Sequence, residues 1–342
     1  MTNLDSMRLL VTGGAGFIGS NFSRYWVERH PHDAVVVLDL LTYAGNRPNI
    51  TDLEPPVVFE QGDIADFENN ERLLREHRVD VVVNFAAESH NSLAVIEPGR
   101  FFRTNVLGTQ ALLEACRLVG VDRFHHISTC EVYGDLALDT AEVFTETSPY
   151  RPRTPYNASK AGADHAVRAY QETYGLATTI TNCANNYGPY QFPEKIIPLF
   201  TTNALDDQPL PLYESTQNRR EWIHALDHCS AIEAVLERGQ SGETYHVGTG
   251  VERSIEEIAD AVLAELGKPS SLKKIVPDRP GHDRRYVLDW SKIRRELGWQ
   301  PAIDFERGLS ETVAWYAERR SWWEPLRERA PVVEDTAWPV LR

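Results

Sequence analysis

The chain has 342 residues, 42% hydrophobic and 25% charged, which is enough to bury a large core in two closely associated domains. Its formal net charge of −15 argues against nucleic acid or anionic membranes as the main partner, while anionic small molecules can still be gathered by local basic groups. The four cysteines, Cys116, Cys130, Cys183 and Cys229, show neither Cys-x-x-Cys nor zinc-finger spacing, so a reducing compartment is expected and neither a disulfide framework nor a metal site is. Residues 1–6 lack the basic and apolar regions of a signal peptide, and no apolar run reaches membrane-spanning length. A cytoplasmic protein is expected.

Residues 7–12 form a short apolar run that ends in Gly13-Gly14-Ala15-Gly16-Phe17-Ile18-Gly19. A helical pattern follows through Phe22, Tyr25 and Trp26. Strand, glycine turn and helix together predict a phosphate cradle. The glycines at 13, 16 and 19 allow a tight turn, close approach of a pyrophosphate, and close packing of helix on sheet. The free N–H groups and dipole of the helix start face the phosphates. A second strand over residues 34–38 ends at Asp39, twenty residues beyond Gly19. A carboxylate there accepts hydrogen bonds from an adenosine ribose and repels a 2′-phosphate, so NAD is expected rather than NADP. An ordinary turn with a solvated Asp39 is the weaker reading.

Strands are predicted over residues 57–60 and 79–83, and a long helix over 101–118. A buried strand over 122–127 then delivers Ser128-Thr129-Cys130-Glu131-Val132-Tyr133-Gly134 to the carboxyl edge of the sheet, where open α/β sheets place their ligands. A helix starts near Pro155, and residues 177–180 continue the sheet. Alternating strands and helices predict an α/β fold with a Rossmann-type, doubly wound parallel sheet and a smaller α/β domain. Tyr156 and Lys160 lie four apart and share one helix face. An ammonium there is expected to lower the tyrosine pKa from about 10 and make the phenolate a base for a hydroxyl proton. Taken alone, so short a pattern as Tyr-x-x-x-Lys reads more readily as an ordinary surface pair; the glycine turn shifts the balance toward chemistry.

Beyond Asn182 the turn-rich Asn185-Asn186-Tyr187-Gly188-Pro189 and Pro193, Pro198, Pro209 and Pro211 mark a change of organisation. The expected division is residues 1–187 for the dinucleotide and 188–342 mainly for the second substrate, with some segments returning to the first half. Helices are predicted at 254–266 and 305–320. Arg219, Arg220, Arg279, Arg284 and Arg285 are read as a loop cluster suited to a diphosphate, although any one of them could be a solvated surface residue. Trp322 and Trp323 read as packing residues, and the tail after them carries no signal.

Together, the residues of the glycine turn, Ser128 to Gly134, Tyr156-x-x-x-Lys160 and Asn185 to Pro189 resemble the extended short-chain dehydrogenase/reductases. The closer resemblance is to dTDP-glucose 4,6-dehydratases, over residues 7–323. It is carried by Leu41-Thr42-Tyr43-Ala44-Gly45-Asn46, Glu88-Ser89-His90, Phe192-Pro193-Glu194-Lys195 and Asp278-Arg279-Pro280-Gly281-His282-Asp283-Arg284-Arg285-Tyr286. The resemblance implies a cytoplasmic enzyme of deoxysugar biosynthesis that holds NAD tightly. Tyr156, assisted by Lys160 and Thr129, would take the sugar 4-hydroxyl proton. Glu131 would take the C5 proton, and the neighbouring acid would protonate the departing C6 hydroxyl. It implies Gly13, Gly16, Phe17, Ile18, Gly19, Asp39, Asp63, Ile64, Ala86 and Ala87, with Tyr156 and Lys160, as the cofactor set. For the nucleotide sugar it implies Ser89, His90, Asn185, Glu194, Lys195, Asn218, Arg220, His282 and Tyr286. It also implies a homodimer through the helices beginning near Phe101 and Pro155.

Three departures stand out. Thr129-Cys130-Glu131 replaces the family's Thr-Asp-Glu; a thiol of pKa about 8.5 is protonated at neutral pH and can donate, or it is a silent replacement. Asn91-Ser92-Leu93-Ala94 follows Ser-His where Val-Asp-Arg-Ser is usual, and Glu214-Ser215-Thr216 replaces Gly-Asp-Gly before Asn218 and Arg220. Two alternatives therefore stand beside the 4,6-dehydratase reading. One is a nucleotide-sugar 5,6-dehydratase that returns hydride to C4 and leaves a 5,6-ene; its tunicamycin-pathway type has a similar Cys-Glu pair. The other is a non-catalytic nucleotide-binding homologue, which the joint presence of Glu131, Tyr156 and Lys160 disfavours. A UDP-glucuronate decarboxylase has a similar Ser-Thr-Ser-Glu segment and fits less well after Asn185.

Overall fold

Runs of β-branched residues set the architecture. In the computed structural model, which describes residues 6–53 and 57–329, they form β1 (Arg8–Thr12), β2 (Ala34–Asp39), β3 (Val57–Gln61), β4 (Val81–Asn84), β5 (Arg123–Thr129) and β6 (Thr178–Cys183). The chain then leaves this sheet through β7 (Asn185–Tyr187), β8 (Leu210–Tyr213) and β9 (Arg219–His224). It returns with β10 (Thr244–Val247), which pairs in parallel with β6. The completed seven-stranded sheet has the order β10-β6-β5-β4-β1-β2-β3, and every pairing in it is parallel. Strand order reverses between β1 and β4, and that crevice is where such sheets bind ligands. The readings made on residues 1–5 and on the tail beyond 329 lie outside the described residues.

Alternation along each strand fills two cores. Leu10, Val36, Val82 and Phe124 pack on one face with Leu112, Leu113 and Val167. Leu9, Val11, Val35 and Val37 pack on the other with Phe22, Trp26 and Ile232. At about 1.5–3 kcal/mol per buried aliphatic side chain, these layers hold the strand ends rigidly at the crevice. The smaller half is built from β11 (Glu252–Ser254), β12 (Lys273–Val276) and β13 (Arg285–Tyr286). β9 pairs with β11, β13 and β7, while β12 pairs with β8. A third core, with Ile197, Phe200, Ile258, Val262, Leu309 and Val313, joins the helices Ile196–Leu205, Ile255–Glu265 and Phe305–Glu318.

The helix expected over 101–118 is interrupted. An α-helical turn Pro98–Phe101 leads into a π-helical stretch, Phe102–Gly108, before the α-helix Thr109–Val119. The wider turns rotate Asn105 inward, where its amide accepts from Glu88 N at 2.9 Å and donates to Glu88 O at 3.0 Å and Ser159 Oγ at 2.8 Å. This is a common use of π segments, which gather near functional sites. The helix Pro155–Tyr174 has Pro at its start, Thr154 as N-cap and left-handed Gly175 as its stop, each a strong boundary signal. Trp323 is buried and donates to Tyr316 O at 2.8 Å, and Trp322 donates to Asn49 Oδ1 at 2.9 Å; both are packing residues. Among the described residues no helix is long and apolar enough to cross a membrane. All four cysteines are buried and free.

Candidate active site

A cleft of about 490 Å³ lies along the carboxyl ends of the central strands and runs into the smaller half. Its floor at one end is the glycine turn. Gly13 has φ +67°, and a Cβ there would come within 2.7 Å of Ala86 N; a Cβ at Gly19 would collide with the Gly13 carbonyl oxygen. The helix Phe17–Arg29 opens at Gly16 without a side-chain cap, so its first N–H groups remain available to an anion. Asp39 is buried, accepts from Ala15 N at 3.0 Å and Leu41 N at 2.8 Å, and is pushed up in pKa by burial. Those two bonds fix the carboxylate at the cleft wall and leave further lone pairs for a ligand. Gly16, Phe17, Ile18, Asp63, Ile64, Ala86 and Ala87 line the same end.

At the middle of the cleft, β5 ends at Thr129, whose hydroxyl accepts from Glu131 N at 3.2 Å and caps a 3₁₀ turn over Cys130–Tyr133. That turn aims Glu131 into the cleft. Glu131 Oε2 accepts from Asn91 Nδ2 at 3.1 Å, and Asn91 Oδ1 in turn accepts from Thr154 Oγ1 at 3.1 Å. Tyr156 and Lys160 line the opposite part of the same space. Lys160 Nζ donates to Ile127 O at 2.7 Å and stands 3.3 Å from His126 Nε2. Burial lowers Lys160 to about 8, against the pull of Asp164.

The expected depression of the Tyr156 pKa is not found. Burial raises it well above 10 and the charge of Glu131 raises it further, while the hydrogen bond with Thr129 works the other way. The ammonium is committed to the Ile127 carbonyl, with His126 beside it, rather than to the phenol. Cys130 also differs from expectation in its surroundings. It is fully buried among Val132, Tyr133, Leu136, Tyr286 and Leu288 and does not line the cleft. Burial and the neighbouring Glu131 push its thiol well up, so it stays protonated.

At the far end Ser89, His90, Asn185, Glu194, Lys195, Arg220, His282 and Tyr286 line the cleft. Asn218 does not: its side-chain amide donates to Ser215 Oγ at 2.9 Å and its backbone carbonyl accepts from Ile255 N. Glu194 accepts from Tyr43 OH at 2.8 Å, and its Oε2 lies 3.5 Å from His90 Nε2. Lys195 Nζ donates to Ser89 O at 3.0 Å, and Tyr286 OH donates to Asn185 Oδ1 at 2.8 Å.

The arginine cluster resolves into two kinds. Arg219 and Arg220 lie on β9 and Arg285 on β13, not in loops. Arg219 pairs with Glu257, Arg284 with Asp135 and Arg285 with Glu252. Arg220 and Arg279 border the cleft, and Arg279 Nη1 is a buried donor without a hydrogen-bond partner among the described residues. Asn91, Thr104, Tyr213 and Trp222 also line the cleft but were not among the predicted site residues. Asn91 had a signal as a departure from the family pattern. Thr104 had none, since the π turn that presents it cannot be read from periodicity.

A Rossmann-type parallel sheet, a glycine turn at its switch point and a Tyr-x-x-x-Lys pair facing the end of β5 define an extended short-chain dehydrogenase/reductase. Comparison with known proteins narrows this. Residues 10–312 match the family model described as GDP-mannose 4,6 dehydratase. A dTDP-glucose 4,6-dehydratase of Neisseria meningitidis is 47% identical over 339 residues, covering 93% of this chain and 95% of that one. One from Mycobacterium tuberculosis is 50% identical over 323 residues, covering 94% and 97%. The structure of DesIV, a dTDP-glucose 4,6-dehydratase from Streptomyces venezuelae with NAD and dTDP bound, superposes with a TM-score of 0.90 at 51% identity, covering 94% of this chain and all of that one. A UDP-glucose 4-epimerase of Thermus thermophilus with NAD gives 0.85 at 34% identity, covering 92% of this chain and all of that one. The chain belongs to the extended short-chain dehydrogenase/reductase family matched by these proteins, close to its dTDP-glucose 4,6-dehydratases.

Proposed function

We propose that the protein is an NAD-dependent dTDP-hexose 4,6-dehydratase, with dTDP-glucose as the substrate to test. The observation that carries this reading is the convergence of Thr129, Glu131, Tyr156 and Lys160 midway along one cleft. The glycine floor lies at one end, and Arg220 and the unpaired Arg279 Nη1 lie at the other. The residues present fit a dinucleotide: side chains are excluded where a pyrophosphate would approach, the helix start is uncapped, and Asp39 is fixed for a ribose. NAD bound there supplies the acceptor for hydride from C4 and the donor that returns it to C6.

Tyr156 takes the 4-hydroxyl proton, helped by the Thr129 hydroxyl and by the positive charge of Lys160 and the oxidised cofactor. Glu131, held by Asn91, removes the C5 proton once C4 is a ketone. Arg220, Arg279, Lys195 and His282 serve the diphosphate end, where fixed guanidinium donors suit phosphate oxygens. Asn218 acts behind them, by holding Ser215 and the start of the helix Ile255–Glu265. Cys130, sealed behind the wall, is assigned no direct contact with the sugar. We assign dinucleotide binding to residues 1–187 together with the returning β10, and nucleotide-sugar binding mainly to the rest of 188–342. A cytoplasmic homodimer is part of the proposal, formed over the exposed Phe102, Leu107 and Leu118 and checked by mass in solution.

Incubation with dTDP-glucose in deuterated water, read by mass and proton NMR, tests the reaction. A 4-keto-6-deoxy sugar carrying deuterium at C5 is expected. The presence of Cys130 where the family has an acid favours one rival, in which hydride returns to C4. An exocyclic 5,6-alkene with its C4 hydroxyl restored would establish that rival in place of the proposal.

A further inference from the structure

The stretch after β2, residues 40–50, is held from outside the cleft by the far end of the chain. It contains Leu41 to Asn46, which carried the family resemblance but has no role in the reaction. Thr42, Ala44 and Gly45 line the cofactor end of the cleft, as Asp39 does. Gly45 N donates to Thr42 O at 3.2 Å and closes a turn. A Cβ at Gly45 would come within 2.7 Å of Asp39 Oδ1, so the turn lies directly on the carboxylate expected at the ribose. Asn46 and Asn49, both buried, join this stretch to the glycine turn: Asn46 N and Asn49 Nδ2 each donate to Ala15 O at 3.0 Å.

Two groups near the end of the described chain close on this loop. Trp322 Nε1 donates to Asn49 Oδ1 at 2.9 Å. An indole N–H can only donate, so it fixes which way the Asn49 amide faces and keeps Nδ2 on Ala15 O. Arg329 Nη2 donates to Thr42 O at 3.2 Å and to Gly45 O at 3.0 Å, across 287 and 284 positions. Both carbonyls belong to the turn that covers Asp39. The helix Arg320–Arg327 that carries these groups is rooted in the smaller half. Arg320 and Arg327 pair with Asp206, and Arg327 also donates to Asn203 Oδ1 at 3.3 Å. Those partners sit at the end of the helix Ile196–Leu205, which starts directly after the cleft residues Glu194 and Lys195. From the inner side, Tyr43 OH ties the same loop to Glu194 at 2.8 Å.

We infer that the segment from Arg320 to Arg329 is a strap over the cofactor loop, and that Trp322 and Arg329 are positioning residues for NAD retention. Neither lines the cleft; they act through Asn49, Thr42 and Gly45. Opening the loop over Asp39 breaks both Arg329 bonds and draws Asn49 away from Trp322. Each bond therefore adds to the barrier against cofactor release. Retention suits the chemistry, because hydride taken from the sugar is given back within the same turnover. That is so whether it returns to C6 or to C4, and the inference stands apart from the choice between those reactions.

Arg329→Gln and Trp322→Phe test the strap. The second removes the indole donor but keeps an aromatic ring against Trp315 and Tyr190, whose centroids lie 4.9 and 5.8 Å from that of Trp322. The readout is exchange of bound NAD for radiolabelled NAD added in excess, which needs no turnover. Each variant should exchange roughly tenfold faster, the worth of about one hydrogen bond. Arg329→Lys, which keeps a charged donor, should exchange more slowly than Arg329→Gln. Ser254→Ala, which weakens a helix cap in the smaller half, should exchange like the wild type. Wild-type exchange in both strap variants would overturn the inference, as would a matching rise in Ser254→Ala, the mark of general loosening. A second readout uses the cofactor-free protein. Amide hydrogen exchange over residues 42–49 should quicken in both strap variants while β1 stays protected. Unchanged protection of that loop would sink the strap whatever the NAD measurement gave.

Discussion

Glu131 is the residue on which the reaction turns. Glu131→Gln keeps its size and loses its basicity, so kcat should fall by about 10²–10⁴. Deuterium entry at C5 should vanish, while oxidation at C4 persists as a rise in nicotinamide absorbance. Retained C5 exchange would move the base elsewhere. For Cys130, whose thiol does not border the cleft, Cys130→Ser should leave kcat within about threefold of wild type, because proton delivery worth tenfold or more is not assigned to it. A loss of two orders of magnitude would identify the thiol as the leaving-group acid. The sequence brought Tyr156, Lys160, Thr129 and Glu131 into view because their spacing is local. What each would meet was hidden. Lys160 faces Ile127 O and His126 because β5 lies against its helix. Arg284 meets Asp135 across 149 positions, and Arg285 meets Glu252 across 33. Partners at such separations come from the fold, so the arginines that border the cleft, Arg220 and Arg279, could not be told from the rest beforehand.

At the scale of elements, the glycine turn was the most readable part, since strand, turn and helix signals are adjacent. Gly13→Ala places a Cβ where φ is +67° and Ala86 N is 2.7 Å away. It should lower stability by about 1–3 kcal/mol and weaken NAD retention, seen together as a lower melting temperature and cofactor loss on gel filtration. Unchanged retention would mean the dinucleotide does not lie on that floor. The helix Ile255–Glu265 offers a purely structural contrast. Its capping box joins Ser254 and Glu257, so Ser254→Ala should cost about 1 kcal/mol in urea unfolding without changing KM. The π-helical stretch Phe102–Gly108 had no comparable signal. Its apolar spacing passes for an ordinary helix, yet its extra width brings Asn105 to Glu88 and Ser159.

For the whole molecule, buried titratable groups set the response to acid. His125, His228 and His246 are each pushed by burial to about 3 from an unfolded value of 6.5. Between those values the unfolded chain binds more protons, so their contribution to stability is lost as pH falls from about 6.5 toward 3. Glu221 and Asp283, raised to about 7, act oppositely: they favour the fold at low pH and lose that contribution as pH rises through 7. As pH falls through about 4.5 and 3.8, the ordinary values of Glu221 and Asp283, their carboxylates become protonated in the unfolded chain as well, and their opposition to the histidines fades. Asp52, Asp80 and Asp206, lowered by their arginine partners, then add the same sign. At about 1.4 kcal/mol per group and pH unit, the three histidines alone give a slope of roughly 4. The urea midpoint should therefore drop more steeply between pH about 4.5 and 3.5 than between about 7 and 6; equal slopes would refute this accounting.

The return of β10 to the large sheet also has a consequence for how the chain is made. β6 is complete at Cys183, but its neighbour begins only at Thr244. At about 5–20 residues per second of synthesis, the ribosome needs roughly three to twelve seconds to deliver it. Throughout that interval the nascent sheet presents β6 as an open edge, with unpaired N–H and C=O groups that invite other strands. The half that holds the glycine turn is thus the first to be synthesised and among the last to be closed, and a chaperone that guards growing chains has its longest task here.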